Sequence, residues 1–132
     1  MEHKVVLDVT MNSDDIVNLL SMEGGGFDYW AEICFDEATY EAARARLNAS
    51  KGEEIVCYED ILVDILEHGD KLTVYDREED KDHELTLEKL LAGFKKYAED
   101  VYRKGSIGLD DMDAIVADQI LQMAIFGELT YS

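Results

Sequence analysis

The chain contains no proline, two cysteines, one tryptophan and only 12 Lys plus Arg among its 132 residues. Each scarcity narrows the reading. With no proline and no internal repeat, nothing marks a linker, and Gly105–Gly108 reads as a loop within one domain. Cys34 and Cys57 sit in apolar runs rather than in C-x-x-C spacing, which favours small buried hydrophobes and leaves a disulfide between them open. No apolar run approaches the roughly 18 residues of a membrane span. The opening MEHKVVLDV lacks the basic-then-apolar pattern of a signal peptide. The expectation is a cytoplasmic protein with no membrane contact.

The shortage of bases matters most. The 12 Lys and Arg face 31 Asp and Glu, a formal net charge of −19. Residues 1–66 carry 15 acids against 4 bases and residues 67–132 carry 16 against 8, so no single tail holds the charge. The apolar periodicity of a folded domain runs through both halves, which separates this chain from a disordered acidic one. An acidic coat repels DNA, RNA and anionic membranes and attracts basic surfaces. Solubility alone is the plainer explanation of such a coat.

Catalytic signatures are also missing. From Asp76 the spacing Asp76, Glu78, Asp80, Asp82 imitates a calcium loop, but Lys81 stands where glycine is needed and Leu87 where the bidentate Glu belongs. His68 and His83 fall at a helix end and in a turn, with no H-x-x-x-H or H-E-x-x-H to gather zinc. Cys57 has no histidine in a local nucleophile signature. Gly24–Gly26 form neither a Walker loop nor a dinucleotide turn. The expectation is a protein with no cofactor and no metal that is not an enzyme.

What is present is an alternation of short helices and strands. Lys4–Val9 reads as a strand. Ser13 caps a helix with Asp14 and Asp15 in its first turn and Gly24 at its end. Asp28–Phe35 admits a strand or a helix. As the favoured strand it turns Tyr29, Ala31, Ile33 and Phe35 to one face and Asp28, Trp30, Glu32 and Cys34 to the other. Asp36 caps a surface helix over Glu37–Asn48. Tyr58–His68 is a helix stopped by Gly69. Lys71–Tyr75 and Glu84–Leu87 form an antiparallel pair around the polar turn DREEDKDH.

Thr86 caps the best amphipathic helix, with Leu87, Leu90, Leu91, Phe94, Ala98, Val101 and Tyr102 as its stripe and Gly105 as its stop. Asp110–Phe126 is apolar nearly all round, as a central helix is, and Gly127–Ser132 adds an edge strand. The class is α+β in one domain, residues 1–132, with a small antiparallel sheet of three to five strands under four to five helices.

Binding residues follow from charge and aromatic content. Asp60, Asp64 and Glu67 share one helical side by the i, i+4 and i+3 rule, with Glu59 beside them. Asp14 with Asp15, and Asp110, Asp111 and Asp113, make further rows. Such rows resemble DNA phosphates, which recur about every 3.4 Å along a strand. The turn acids Asp76, Glu78, Glu79, Asp80 and Asp82 form a second cluster. In EGGGFDYW (Glu23–Trp30), Tyr29 and Trp30, with Phe27, are the aromatic anchors, because buried Tyr and Trp dominate binding hot spots. Burial of Trp30 is favoured over exposure, since single tryptophans are highly buried on average.

EGGGFDYW, KLTVYD (Lys71–Asp76), ELTLEKLLAGFK (Glu84–Lys95) and DAIVADQILQMAIFGELTY (Asp113–Tyr131) together give the chain its resemblance. It resembles a family of small acidic proteins of bacteriophages and prophages of Gram-positive bacteria; Asp36–Glu54 lies outside the likeness. The resemblance implies a phage accessory protein acting in an infected bacterial host. It implies an inhibitor of host defence of the anti-CRISPR or anti-restriction kind, a DNA mimic binding a basic, nucleic-acid-handling host protein. It carries no catalytic residues over. The alternative is a structural or assembly protein, a homo-oligomer or homodimer held by the C-terminal helix and Gly127–Ser132, or a small-molecule-binding protein with a pocket near Trp30.

Overall fold

A computed structural model describes residues 1–3, 8, 10–22, 26–51, 56–103 and 114–131. The strand expected over Lys4–Val9 (Asp8 apart), the Gly24 cap, the Gly105 stop, Asp110–Asp113 and Ser132 lie outside the described residues.

Among the described residues the chain forms five helices and three strands: α1 (Ser13–Leu20), β1 (Ala31–Cys34), α2 (Glu37–Lys51), α3 (Tyr58–Glu67), β2 (Leu72–Asp76), β3 (Lys81–Leu85), α4 (Leu87–Arg103) and α5 (Ala114–Phe126). The sheet has the order β1-β2-β3 and is antiparallel throughout. The α+β expectation holds.

Local chemistry explains most boundaries. Asn12, rather than Ser13, caps α1. Its side-chain oxygen accepts the Asp15 N–H at 3.0 Å, and the Asp15 carboxylate accepts the Asn12 N–H at 2.9 Å, a reciprocal capping box. Ser13 is thereby released, and its hydroxyl donates to Glu67 on α3 at 2.8 Å. Asp36 accepts the Thr39 N–H at 3.1 Å and starts α2, which runs three residues past Asn48. Gly69 (φ +94°) closes α3 by a full Schellman motif: its N–H reaches Leu66 O at 3.1 Å and the Asp70 N–H reaches Ile65 O at 3.0 Å.

The hairpin is tighter than its sequence suggested. Pairing continues to Asp76↔Lys81, so the turn is Arg77–Asp80 and Lys81–Glu84 is strand. Asp80 adopts the left-handed conformation (φ 52°) that Asp tolerates. His83 is therefore not an exposed turn residue. It lies in β3 with its ring edge-on to Phe126 at 5.5 Å, and its Nε2 has no hydrogen-bond partner among the described residues. The cysteine expectation also needs correcting: Cys57 is exposed and Cys34 half-buried, and no disulfide joins them.

The core gathers Ile16, Leu19 and Leu20 of α1, Ile61, Leu62, Ile65 and Leu66 of α3, Leu72 and Val74 of β2, and Leu90 of α4. It continues into Ile120 and Leu121 of α5. On α4 the stripe is rotated from expectation: Tyr97 is buried and Leu91 exposed. Gly93 lets α4 approach α5, since a Cβ there would stand 2.5 Å from the Ala124 nitrogen and 2.6 Å from its Cα. The α5 helix is not covered all round. Ala117, Ile120, Leu121 and Gln122 are buried, while Ile115 is 68% exposed. Nor do residues 127–131 form an edge strand; they fold back along α5.

The largest correction concerns Tyr29 and Trp30. Residues 27–30 are a turn, with the Trp30 N–H on Phe27 O at 3.1 Å and the Ala31 N–H on the same carbonyl at 2.9 Å. The period-two alternation begins only at Ala31, so Tyr29 is 45% exposed, against the strand reading that turned it inward, while Trp30 is fully buried, as favoured. Phe35, expected in the core, is exposed and stacks on Tyr40 at 4.4 Å.

Candidate interaction surfaces

The strand register sets where the surfaces lie. Ala31 pairs with Asp76, so the 27–30 turn and the 77–80 turn share one end of the sheet. The α3 helix ends just before β2 begins, which places Glu67 toward the opposite end.

Asp60, Asp64 and Glu67 come together as read from their spacing. They line a groove of about 290 Å³ with Asp14, Val17 and Leu47. Arg46 on α2 donates Nε (2.9 Å) and Nη2 (2.6 Å) to Asp64 Oδ2. Asp64 is thus neutralised inside the protein, while Asp60, Glu67 and Asp14 keep their charge at the groove. Glu59 is half-buried and does not line it.

At the hairpin tip Glu78, Glu79, Asp80 and Asp82 are exposed. The Tyr75 hydroxyl donates to Asp80, and that bond raises the phenol's pKa. Arg77 bridges Asp28 (3.4 Å) and Glu32 (3.8 Å), and its N–H donates to Trp30 O at 2.7 Å. Asp76 does not belong to this surface. It is fully buried and accepts the Glu78 N–H (2.9 Å), the Glu79 N–H (3.2 Å) and the Tyr131 hydroxyl (2.8 Å). Its side chain follows Leu72 and Val74 on the inner sheet face, where turn amides and a phenol replace water.

Trp30 is likewise no partner anchor. Its indole packs on Phe126 (5.2 Å) and Tyr131 (5.5 Å), and Nε1 donates to Asp118 Oδ1 at 2.7 Å. Asp118 Oδ2 accepts the Tyr29 hydroxyl at 2.7 Å. Gln122, one turn further along α5, donates to Asp118 Oδ1, Tyr29 Oη and Tyr131 O, each at 3.1 Å. Its Oε1 accepts the Thr130 and Tyr131 N–H groups, both at 2.8 Å. One buried amide therefore fastens the C-terminal residues to α5.

Burial, followed by the hydrogen bond to Asp118, pushes the Tyr29 phenol up to about 12. Desolvation and the bond to Asp76 do the same for Tyr131. Both remain donors through the neutral range. Sequence reasoning missed Asp118, Gln122 and Tyr131. The available signal was a polar i, i+4 pair inside the most apolar helix, because buried polar groups in such a place must find partners.

Among the described residues no cluster of three or more His, Cys, Asp or Glu is set to hold a metal ion. No described helix is long and apolar enough to cross a membrane. Comparison with protein-family models, with curated proteins and with solved structures returns no match.

Proposed function

We propose that this chain is a non-catalytic acidic binding protein that occupies the basic, nucleic-acid-handling surface of a host defence protein. In that role it acts as a phage-encoded inhibitor of the anti-CRISPR or anti-restriction kind. The observation that carries this reading is the placement of unneutralised carboxylates. The ion pairs among the described residues engage Asp28, Glu32, Glu41, Asp64 and Glu84. Asp14, Asp60 and Glu67 remain gathered on the α1–α3 groove, and Glu78, Glu79, Asp80 and Asp82 on the hairpin tip. Like charges held on one helical side cost stability. A basic partner repays that cost by accepting them and is drawn in at long range. The aromatic contribution falls to Tyr29 alone, since Trp30 is internal. The resemblance noted above supplies the biological setting.

The competing oligomer reading draws less support from Phe126, which packs within the chain against Trp30, His83 and Tyr131, and keeps Ile115 and Leu129 as exposed apolar side chains on the C-terminal helix and the residues after it. The test is capture from a bacterial lysate on the immobilised protein at low ionic strength. Elution is then by salt and, separately, by short duplex DNA. Nucleic-acid-binding proteins released by both, and weakened about tenfold or more by Glu78→Lys with Glu79→Lys, are the expected result. Binding that survives high salt and ignores DNA overturns the reading.

A further inference from the structure

Three exposed large apolar side chains, Tyr29, Ile115 and Leu129, line one groove of about 610 Å³ on the 27–30 turn, α5 and the C-terminal residues. Tyr131 and Asp118 line it too. The carboxylate of Asp118 is held rigidly by three neutral donors: the Tyr29 hydroxyl on Oδ2, the Trp30 indole and the Gln122 amide on Oδ1. An ionised carboxylate offers about four acceptor positions, so one remains, on Oδ2. Among the described residues no Lys or Arg pairs with it.

A fixed negative charge inside apolar walls selects its ligand sharply. An anion is repelled by it and by the net charge of −19. A neutral apolar group has the walls but leaves the carboxylate unanswered. A cation on an apolar stem satisfies both. Arginine fits more closely than lysine: its stem covers Ile115 and Leu129, its planar guanidinium stacks on the Tyr29 ring, and a single N–H fills the remaining Oδ2 position. We infer that this groove is the docking slot for an arginine side chain in an exposed basic segment of a protein partner. The inference rests on the reading of a basic partner and names the contact that gives it specificity beyond charge.

The molecule carries its own reporter. Trp30 is the sole tryptophan, so a nitrogen-15-labelled sample has one indole N–H signal, and that N–H sits on Asp118. The experiment titrates this signal with a capped Gly-Leu-Arg-Leu-Gly peptide, with the same peptide carrying neutral citrulline, and with agmatine. The expected result is a saturable shift with the arginine peptide. Citrulline should bind about tenfold more weakly, since the charge-assisted bond is lost. Ile115→Ser and Leu129→Ser, both at exposed positions, should weaken the arginine peptide several-fold and leave the rest of the spectrum in place.

A signal that does not move overturns the slot. So does a shift of equal size with citrulline, or wild-type affinity in both serine variants. Agmatine binding as tightly as the peptide overturns the protein-segment assignment in favour of a small-amine site. The two readings fail separately. Peptide binding without lysate capture removes the defence partner and leaves the slot; capture without peptide binding does the reverse.

Discussion

Asp76 and Asp64 are both withdrawn from solvent, yet they are satisfied by different chemistry. Asp76, at the end of β2, is fully buried and pairs with no Lys or Arg among the described residues; two turn amides and the Tyr131 hydroxyl solvate it. Asp64, on α3, keeps 22% of its side chain exposed and takes both contacts from one guanidinium. The difference reflects supply. With 12 bases for 31 acids cations are scarce, and at Asp76 neutral N–H and O–H donors satisfy the carboxylate instead. Asp118 repeats the Asp76 solution, and the two are joined through Gln122 and Tyr131.

The sharpest way to break this comparison is Asp76→Ala. It strands two amides and a phenol in a buried site and should cost about 3 kcal/mol. Denaturant unfolding reads this directly, and the loss should be almost independent of salt. Asp76→Asn keeps one acceptor oxygen and should cost about half as much. A salt-dependent loss would show instead that distant charges act at this site.

Next in size is Gln122→Ala, expected to cost about 2 kcal/mol. Its distinctive readout is hydrogen exchange: the Thr130 and Tyr131 amides, held by Gln122 Oε1, should lose protection while the β2 amides keep theirs. Loss of protection across the whole sheet would mean that the amide supports the fold rather than fastening the C-terminal residues.

These two sites also mark what could be read from the sequence. Helix ends and the antiparallel pairing were legible because they depend on neighbours: Gly69 after an amphipathic run, Thr86 before one, Asp36 three residues ahead of Thr39. The four-residue turn was not, because a run of acids reads as solvated loop until Asp76 is known to be buried. Tyr29 and Trp30 departed from the strand reading because extension begins at Ala31, three residues after Asp28: Ala31–Cys34 keep the expected alternation, while the turn over 27–30 takes the two aromatic side chains off that period. Asp118 and Gln122 act across roughly 90 residues of sequence on Tyr29 and Trp30, and nothing local announces such partners. The α3 acids were legible as a face, but the arrival of Arg46 from α2 was not.

A third way to sharpen the comparison uses base. The Tyr29 and Tyr131 phenols are pushed up to about 12 from 10.0 by burial and by the carboxylates they serve. The folded state therefore holds these protons more tightly than the unfolded one. Their stabilising effect is complete below about pH 10 and is lost as pH rises toward 12. Melting temperature should fall across that window, and ultraviolet titration should show late-ionising phenolates. Tyr29→Phe should remove part of the fall. A midpoint at the ordinary tyrosine value for every phenol would break the link to Asp76 and Asp118.

The smallest effect should come from Arg46→Met. The pair it removes is partly exposed, 31% for the Arg46 side chain, so the loss should be about 0.5–1 kcal/mol. Its character should differ from that of Asp76→Ala. Without Arg46 the charges of Asp14, Asp60, Asp64 and Glu67 face one another around a single groove, and their repulsion is screened by salt. The destabilisation should therefore be greatest at low ionic strength and fade as salt is added. The same variant bears on function in the opposite direction: it frees Asp64 to join the exposed acids and should strengthen binding to a basic partner while it weakens the fold. A variant that lost both stability and binding would place Arg46 within the interface itself.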